Sequence, residues 1–123
     1  MQDYKQLKVW EKAHEFTVMI YKHTSGFPKE EVYSLTNQLR RASFSIPANI
    51  AEGCGKNTQP ELAHFLNIAL GSANEVEYFL LLAKDLKHQS VDVYEELAGK
   101  INEIRAMLIS LISKVRATPK LKT

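Results

Sequence analysis

One cysteine, Cys54, is all the thiol this chain of 123 residues carries. A single thiol closes no intramolecular bridge, which excludes a disulfide-stapled secreted module and points to a reducing, cytoplasmic compartment. Long apolar runs are absent too. The longest strictly apolar stretch, Phe79 to Ala83, falls far short of the roughly 20 residues that cross a bilayer. The start of the chain, Met1 to Lys5, lacks the apolar segment of an export signal, so neither membrane nor secretion is expected. Glycine and proline are scarce, at five and four residues. No Gly-rich phosphate loop, no Cys/His zinc spacing and no serine nucleophile elbow occurs. Charge of one sign is lacking as well. Sixteen Lys and Arg against fourteen Asp and Glu leave a formal net charge of +2, too little to name a polyanionic partner from bulk charge alone.

What is present is a strong helical period. At 45% hydrophobic and 24% charged residues, the chain has the balance of one domain able to fold without metal or disulfide. Apolar residues recur at spacings of three and four in four segments, which predicts an all-α fold. The stripes are Val9, Ala13, Phe16, Ile20; Val32, Leu35, Leu39, Ala42, Ile46; Leu62, Leu66, Ala69, Ala73, Val76, Leu80, Ala83; and Tyr94, Leu97, Ile101, Ile104, Leu108, Leu111, Val115. Helices are expected over about 8–25, 29–54, 60–87 and 91–117. Gly26 would stop the first, Thr58 with Glu61 would cap the third, and Ser90 would cap the fourth. Short connections favour antiparallel neighbours, hence an up-down-up-down four-helix bundle spanning 1–117, followed by a basic, flexible tail over 118–123.

Two features exceed a plain bundle. Pro47 lies inside the second helical pattern, so a kink is expected there, with Ser43 and Ser45 placed to satisfy the freed backbone groups. Asn49 shares the phase of the core stripe and reads as an inward-facing structural lock. The third helix is apolar on too many sides, and Trp10 and Phe44 fall off the core stripes of their own helices. Self-association would bury this surplus, with Trp10, Phe44, Tyr78, Leu81 and Leu82 at the interface. A broad core stripe with scattered exposed apolar residues is the other reading.

Two Glu-x-x-His pairs, Glu11 with His14 and Glu61 with His64, have the spacing of a di-metal bundle centre. Both pairs fall outside the core stripes, whereas bundle metals bind inside, so solvated pairs and no metal are expected. Cys54, between two glycines, reads as an adventitious loop thiol, and His23 and His88 sit near helix ends, where a partial positive charge suits the dipole. Charge distribution says more. One end of an up-down bundle collects Lys5, Lys8, Lys12, Lys56, Lys114, Arg116, Lys120 and Lys122 against Asp3, Glu11, Glu52 and Glu61, eight minus four, or +4. The other end has Lys22, Lys29, Lys84 and Lys87 against Glu30, Glu31, Asp85, Asp92, Glu95 and Glu96, or −2. Copies aligned in a ring would add their basic ends into a field that attracts a polyanion. Arg40 and Arg41 stand level with Glu75 and Glu77 across the hairpin, so interhelical ion pairs and RNA contacts both remain open for them.

Leu7-Lys8-Val9-Trp10, Phe27-Pro28, Gln38 to Ala42, the block Ser45-Ile-Pro-Ala-Asn-Ile-Ala-Glu-Gly53, and the stretch from Phe65 through Gly71-Ser72 to Glu75 and Glu77 resemble the bacterial four-helix-bundle family encoded in 23S rRNA intervening sequences, also labelled S23 ribosomal protein. The likeness runs from about Leu7 through Val115. The chain is similar also to the accessory protein of diversity-generating retroelements. The resemblance implies a homopentameric, barrel-like ring with a basic surface, a role in binding nucleic acid, and no catalytic activity or cofactor. Arg40, Arg41, Asn49 and Glu52 fall on the family's motif. The expectation is therefore a non-enzymatic homo-oligomer that binds structured RNA through its lysine-rich end. The alternative is an interaction scaffold that docks a partner protein.

Overall fold

The computed structural model describes residues 2–117. Its order is a single 3-10 turn over Tyr4–Gln6, helix α1 over Lys8–Thr24, a second 3-10 turn over Lys29–Glu31, then α2 over Leu35–Cys54, α3 over Gln59–Asp85 and α4 over Val91–Ala117. No strand occurs among the described residues. The expected tail, with Lys120 and Lys122, lies outside them.

The caps explain where the helices begin. Asp3 accepts the Lys5 N–H at 3.0 Å and starts the first turn. Thr58 accepts the Glu61 N–H at 3.2 Å while its hydroxyl meets the Glu61 carboxylate at 2.9 Å, and Pro60 suits the donor-free first turn of α3. Ser90 accepts the Val93 N–H at 3.1 Å ahead of α4. The end of α3 needs a left-handed residue and takes Lys87, at φ 66°, rather than glycine. The N–H of His88 then reaches the Ala83 carbonyl and that of Lys87 the Lys84 carbonyl, both at 2.9 Å, closing the last turn.

The second helix begins at Leu35 and not near residue 29. The apolar phase does run back to Val32, but Val32 and Tyr33 are exposed, at 45% and 93%. Pro28 and the pair Glu30–Glu31 suit a short 3-10 turn instead, and Glu31 is held from outside its own segment. Its carboxylate accepts from Ser34 Oγ at 2.7 Å and pairs with His88 Nε2 at 2.9 Å, beyond α3. His88 also packs on Phe27, ring centroids 5.7 Å apart.

Cross-helix pairs fix the topology. Thr17 meets Ser43 and Tyr21 meets Arg40, so α1 and α2 run antiparallel. Ser45 meets Ser72, Glu77 meets Arg105, and Lys12 meets Glu103, which makes α2–α3, α3–α4 and α4–α1 antiparallel in turn. This is the up-down-up-down bundle, closed in a ring of four, with α1 and α4 meeting least. The core lies on the axis, where Phe16, Ile20, Leu39, Ile46, Ile50, Leu66, Leu80, Leu97, Ile101, Ile104 and Leu108 are almost wholly buried.

Pro47 lies within α2, which stays helical on both sides of it. Proline cannot donate to the carbonyl four residues back, and that carbonyl, of Ser43, lies 3.1 Å from the Thr17 hydroxyl, whose single hydrogen it shares with the Ala13 carbonyl at 2.9 Å. The compensation thus comes from α1 and not from the two serines, since Ser43 Oγ donates to Leu39 O and Ser45 Oγ reaches Ser72 Oγ at 2.9 Å on α3. Asn49, half-buried, donates to Ser45 O at 2.8 Å and to Ser45 Oγ at 2.9 Å, so it braces the serine that bridges to α3. About two turns further along, α2 and α3 approach closely at Gly53, where an added Cβ would come within 3.0 Å of both Leu62 Cδ1 and Phe65 Cβ.

Candidate functional site

The basic end is assembled by docking the N-terminus onto the second connection. The Gln2 N–H donates to the Cys54 carbonyl at 3.0 Å, which places Tyr4–Gln6 beside the end of α2. The start of α1, the start of α3 and the end of α4 share that end by their antiparallel register. Six of the eight expected cations lie in the described residues: Lys5, Lys8, Lys12, Lys56, Lys114 and Arg116. Set against Asp3, Glu11, Glu52 and Glu61, six minus four leaves +2.

Their surroundings differ. Lys5, Lys8, Lys114 and Arg116 are exposed, and Lys5, Lys8 and Arg116 form no ion pair among the described residues. The Lys5 ammonium sits 5.7 Å from the Tyr4 ring centre. Lys12 is half-buried and crosses to Glu103 of α4 at 3.5 Å, while Lys56 pairs with Glu52 at 4.0 Å and lies 5.2 Å over the Phe65 ring. Lys12 and Lys56 are therefore partly neutralised. Exposed ammonium and guanidinium groups in a loose cluster suit phosphate contacts, which need charge and reach rather than a shaped pocket.

Arg40 is placed otherwise than its level on the hairpin implied. It turns toward α1, where Nε donates to Thr24 Oγ1 at 2.8 Å, one terminal nitrogen donates to Tyr21 O at 3.3 Å, and the guanidinium lies 4.7 Å over the Tyr21 ring. A cation on the last carbonyls of α1 suits the helix dipole. Glu77 faces α4 and takes Arg105 in a two-nitrogen pair, with Nη2 to Oε2 at 3.4 Å, while Arg105 Nη1 also reaches Asn74 Oδ1 at 2.9 Å and Nη2 contacts Asn102. Arg41 and Glu75 are both exposed and form no ion pair with each other. Of the two readings left open, the α2–α3 ion pair does not form for Arg40 or Glu77: Arg40 contacts α1 and Glu77 pairs with α4. Pairing depends on the rotational face of each helix as well as on position along its axis.

The apolar surface residues divide. Phe44, Tyr78 and Leu81 are exposed, whereas Trp10 and Leu82 are half-buried and pack against the core of their own chain. The Trp10 ring stacks on His14, centroids 5.1 Å apart and planes 5° apart, and meets the edge of Tyr4 at 4.9 Å. Val18, Tyr33, Leu86, Val91 and Ile109, which the stripe arithmetic did not single out, are exposed as well.

The remaining candidate chemistry is accounted for by local contacts. His14 stacks on Trp10, the Glu61 carboxylate accepts from the hydroxyl of the Thr58 cap, and His64 lies edge-on to Phe65. Among the described residues no three His, Cys, Asp or Glu side chains gather as a metal site. Cys54 is no loop thiol. It is the last residue of α2, only 2% exposed, and burial pushes its thiol pKa up, away from a reactive thiolate. No helix among the described residues is long and apolar enough to cross a membrane.

The model of the 23S rRNA-intervening sequence protein family matches residues 5–110. A crystal structure of a protein of unknown function from the S23 ribosomal protein family of Bacteroides thetaiotaomicron is similar at 32% identity, covering 85% of this chain and 95% of that one, with a TM-score of 0.79. None of the curated proteins matches.

Proposed function

The chain belongs to the family of 23S rRNA-intervening sequence proteins, and from that premise we propose that it is a non-enzymatic, self-associating cytoplasmic protein that holds structured RNA by its phosphates at the basic end of the bundle. The observation that carries this reading is the set of exposed cations at one end, with Lys5, Lys8 and Arg116 outside every ion pair among the described residues. Phosphate contacts of this kind fix position without reading bases. No helix-turn-helix or RNA-recognition pattern accompanies them, so selectivity would come from the spacing of basic ends in an assembled ring, a homopentamer by family resemblance.

A salt series with a labelled, structured rRNA fragment tests it, with a DNA duplex of equal charge alongside. Binding that falls steeply with salt and favours the RNA is expected. Each of Lys5→Gln, Lys8→Gln and Arg116→Gln should flatten the logarithmic salt slope by about 0.7–0.9. Absence of binding at low salt refutes the proposal.

The second reading, a scaffold that docks a partner protein, is favoured by the apolar surface at Tyr33, Tyr78 and Val91, exposed at 93%, 56% and 58%. It predicts that the three substitutions change nothing measurable in assembly or partner binding.

A further inference from the structure

The seam between α3 and α4 changes character along its length. Midway it is closed by polar pairing, where Arg105 of α4 holds Glu77 of α3 and reaches Asn74 Oδ1 at 2.9 Å. Toward the basic end that pairing stops and the seam opens into one recess of about 550 Å³, inside the roughly 300–1,000 Å³ range of clefts that hold small ligands. Its apolar wall is Leu70 of α3 with Ile109 and Ile112 of α4, and exposed Asn67, Ser113 and Arg116 border it. No carboxylate lines it. Asn67 and Leu70 lie one turn apart on α3, and positions 109, 112, 113 and 116 repeat at three and four on α4, so each helix turns a single face into the recess. The polar groups there are uncommitted. Thr17, Thr24 and Ser43 each return a hydroxyl to the carbonyl four residues back, whereas the side chains of Ser113 and Asn67 form no hydrogen bond among the described residues, and Arg116 forms no ion pair there.

We infer that this recess takes one unpaired nucleobase, splayed out of a structured RNA, while Arg116 holds the adjoining phosphate; the inference rests on the RNA binding proposed for this end of the bundle. A base has apolar faces and an edge of donors and acceptors, and the lining is divided in the same way. Leu70, Ile109 and Ile112 cover a face, as apolar side chains do for flipped bases. The Asn67 amide donates and accepts at once, which suits a base edge carrying both, and the Ser113 hydroxyl serves in either sense. Arg116, one turn beyond Ser113, supplies the cation, and no acid in the recess opposes it. Other occupants use only part of this lining. A bare phosphate leaves the two isoleucines uncovered, and an aliphatic side chain leaves Asn67 and Ser113 unmatched. Bases stacked inside a duplex cannot offer their faces, so the recess selects a bulge or loop. Phosphate contacts at the basic end would thereby gain a preference for a helix interrupted by an unpaired nucleotide.

The test uses the full-length protein and two fluorescein-labelled RNA hairpins with the same number of phosphates, one carrying a single bulged adenosine and the other an abasic nucleotide at that position. Anisotropy titration should show the adenosine bulge bound about fivefold more tightly or more. The double variant Asn67→Ala/Ile109→Ser changes two exposed positions, Ile109 being 53% exposed, and should keep the helical circular dichroism while bringing the adenosine RNA down to the abasic affinity. Arg116→Gln should weaken both RNAs and flatten the salt slope of both. Equal binding of the two RNAs by the native chain would overturn the base assignment and leave the phosphate reading standing, whereas absence of binding to either would remove both. An adenosine preference that survives the double variant would place the base elsewhere. A change in oligomer mass caused by that variant in the absence of RNA would put a second copy of this chain in the recess and overturn the assignment too.

Discussion

Replacing each of two helical glycines by alanine should move stability in opposite directions. At Gly71, on α3, an added Cβ meets nothing within 4 Å and the backbone is helical. The substitution therefore reduces only the freedom of the unfolded chain and should stabilise by about 0.8 kcal/mol. At Gly53 the same carbon would come 3.0 Å from Phe65 Cβ, 3.0 Å from Leu62 Cδ1 and 3.3 Å from the Leu62 carbonyl oxygen. A Leu methyl can rotate away. The Phe65 Cβ and the Leu62 carbonyl are fixed by the α3 backbone, so relief requires α2 and α3 to separate by several tenths of an ångström. That separation acts on the packing of the buried neighbours Ile50 and Cys54 on α2 against Leu62 and Leu66 on α3. Overpacking of this kind costs about 1–3 kcal/mol, and the helix-propensity gain of Ala, smaller at a helix end, offsets less than about 1 kcal/mol of it.

The net expectation is a loss of about 1–2 kcal/mol for Gly53→Ala against a gain for Gly71→Ala. Urea unfolding followed by circular dichroism at 222 nm reads both, and parallel slopes would show that the unfolded states match. Stabilisation by Gly53→Ala equal to that by Gly71→Ala would refute the close-approach argument.

Three further outcomes follow from single contacts. Thr36 Oγ1 is buried without a hydrogen-bond partner, so Thr36→Val, which keeps the shape and removes the orphaned hydroxyl, should raise the urea midpoint by an amount worth about 1 kcal/mol. Lys87 holds φ at 66°, a conformation costing a side-chain-bearing residue about 1 kcal/mol, so Lys87→Gly should raise the melting temperature by a degree or more despite the added freedom of glycine. The Glu31 carboxyl is held below its ordinary pKa, first by the Ser34 hydroxyl and then by His88. A lowered folded-state pKa stabilises above the unfolded value and loses that contribution as pH falls toward the folded one. Thermal melts between pH 5 and pH 3 should thus fall more steeply for the native chain than for Glu31→Gln, and identical profiles would dismiss the clasp.

The fold was legible because its signals are local and repeated. Core stripes at three-and-four spacing, the Thr58 and Ser90 caps and short connections each act within a few residues. The misreadings share a physical source, which is dependence on rotation about a helix axis or on distant partners. The beginning of α2 is decided by His88 holding Glu31, a contact across 57 positions, and the stripe phase at Val32 carries no trace of it. Arg40 faces α1 and Glu77 faces α4, a difference of rotation that position along the chain does not reveal. Pro47 signalled a freed carbonyl, but the donor that answers it is Thr17 on another helix. At the basic end the residue types were legible and their pairing was not, since Lys12 reaches Glu103 only once α1 and α4 lie side by side.

The block from Ser45 to Gly53, which carries the resemblance most specifically, is occupied with packing. Ser45 bridges to α3, Pro47 leaves a carbonyl for α1, Asn49 steadies Ser45, and Gly53 admits Phe65. These four residues solve one problem, how a single helix lies close to two neighbours at once. Glu52, in the same block, points outward to pair with Lys56. The recognisable motif therefore specifies the shape of the bundle, and ligand preference must be sought where the motif is silent. Under the RNA proposal those places lie outside the Ser45–Gly53 block, at Lys5, Lys8 and Arg116. Replacing Lys5, Lys8 and Arg116 together by Gln should thus remove most of the proposed RNA binding while changing the unfolding free energy read from urea titration by less than about 1 kcal/mol, and retained binding would refute the assignment.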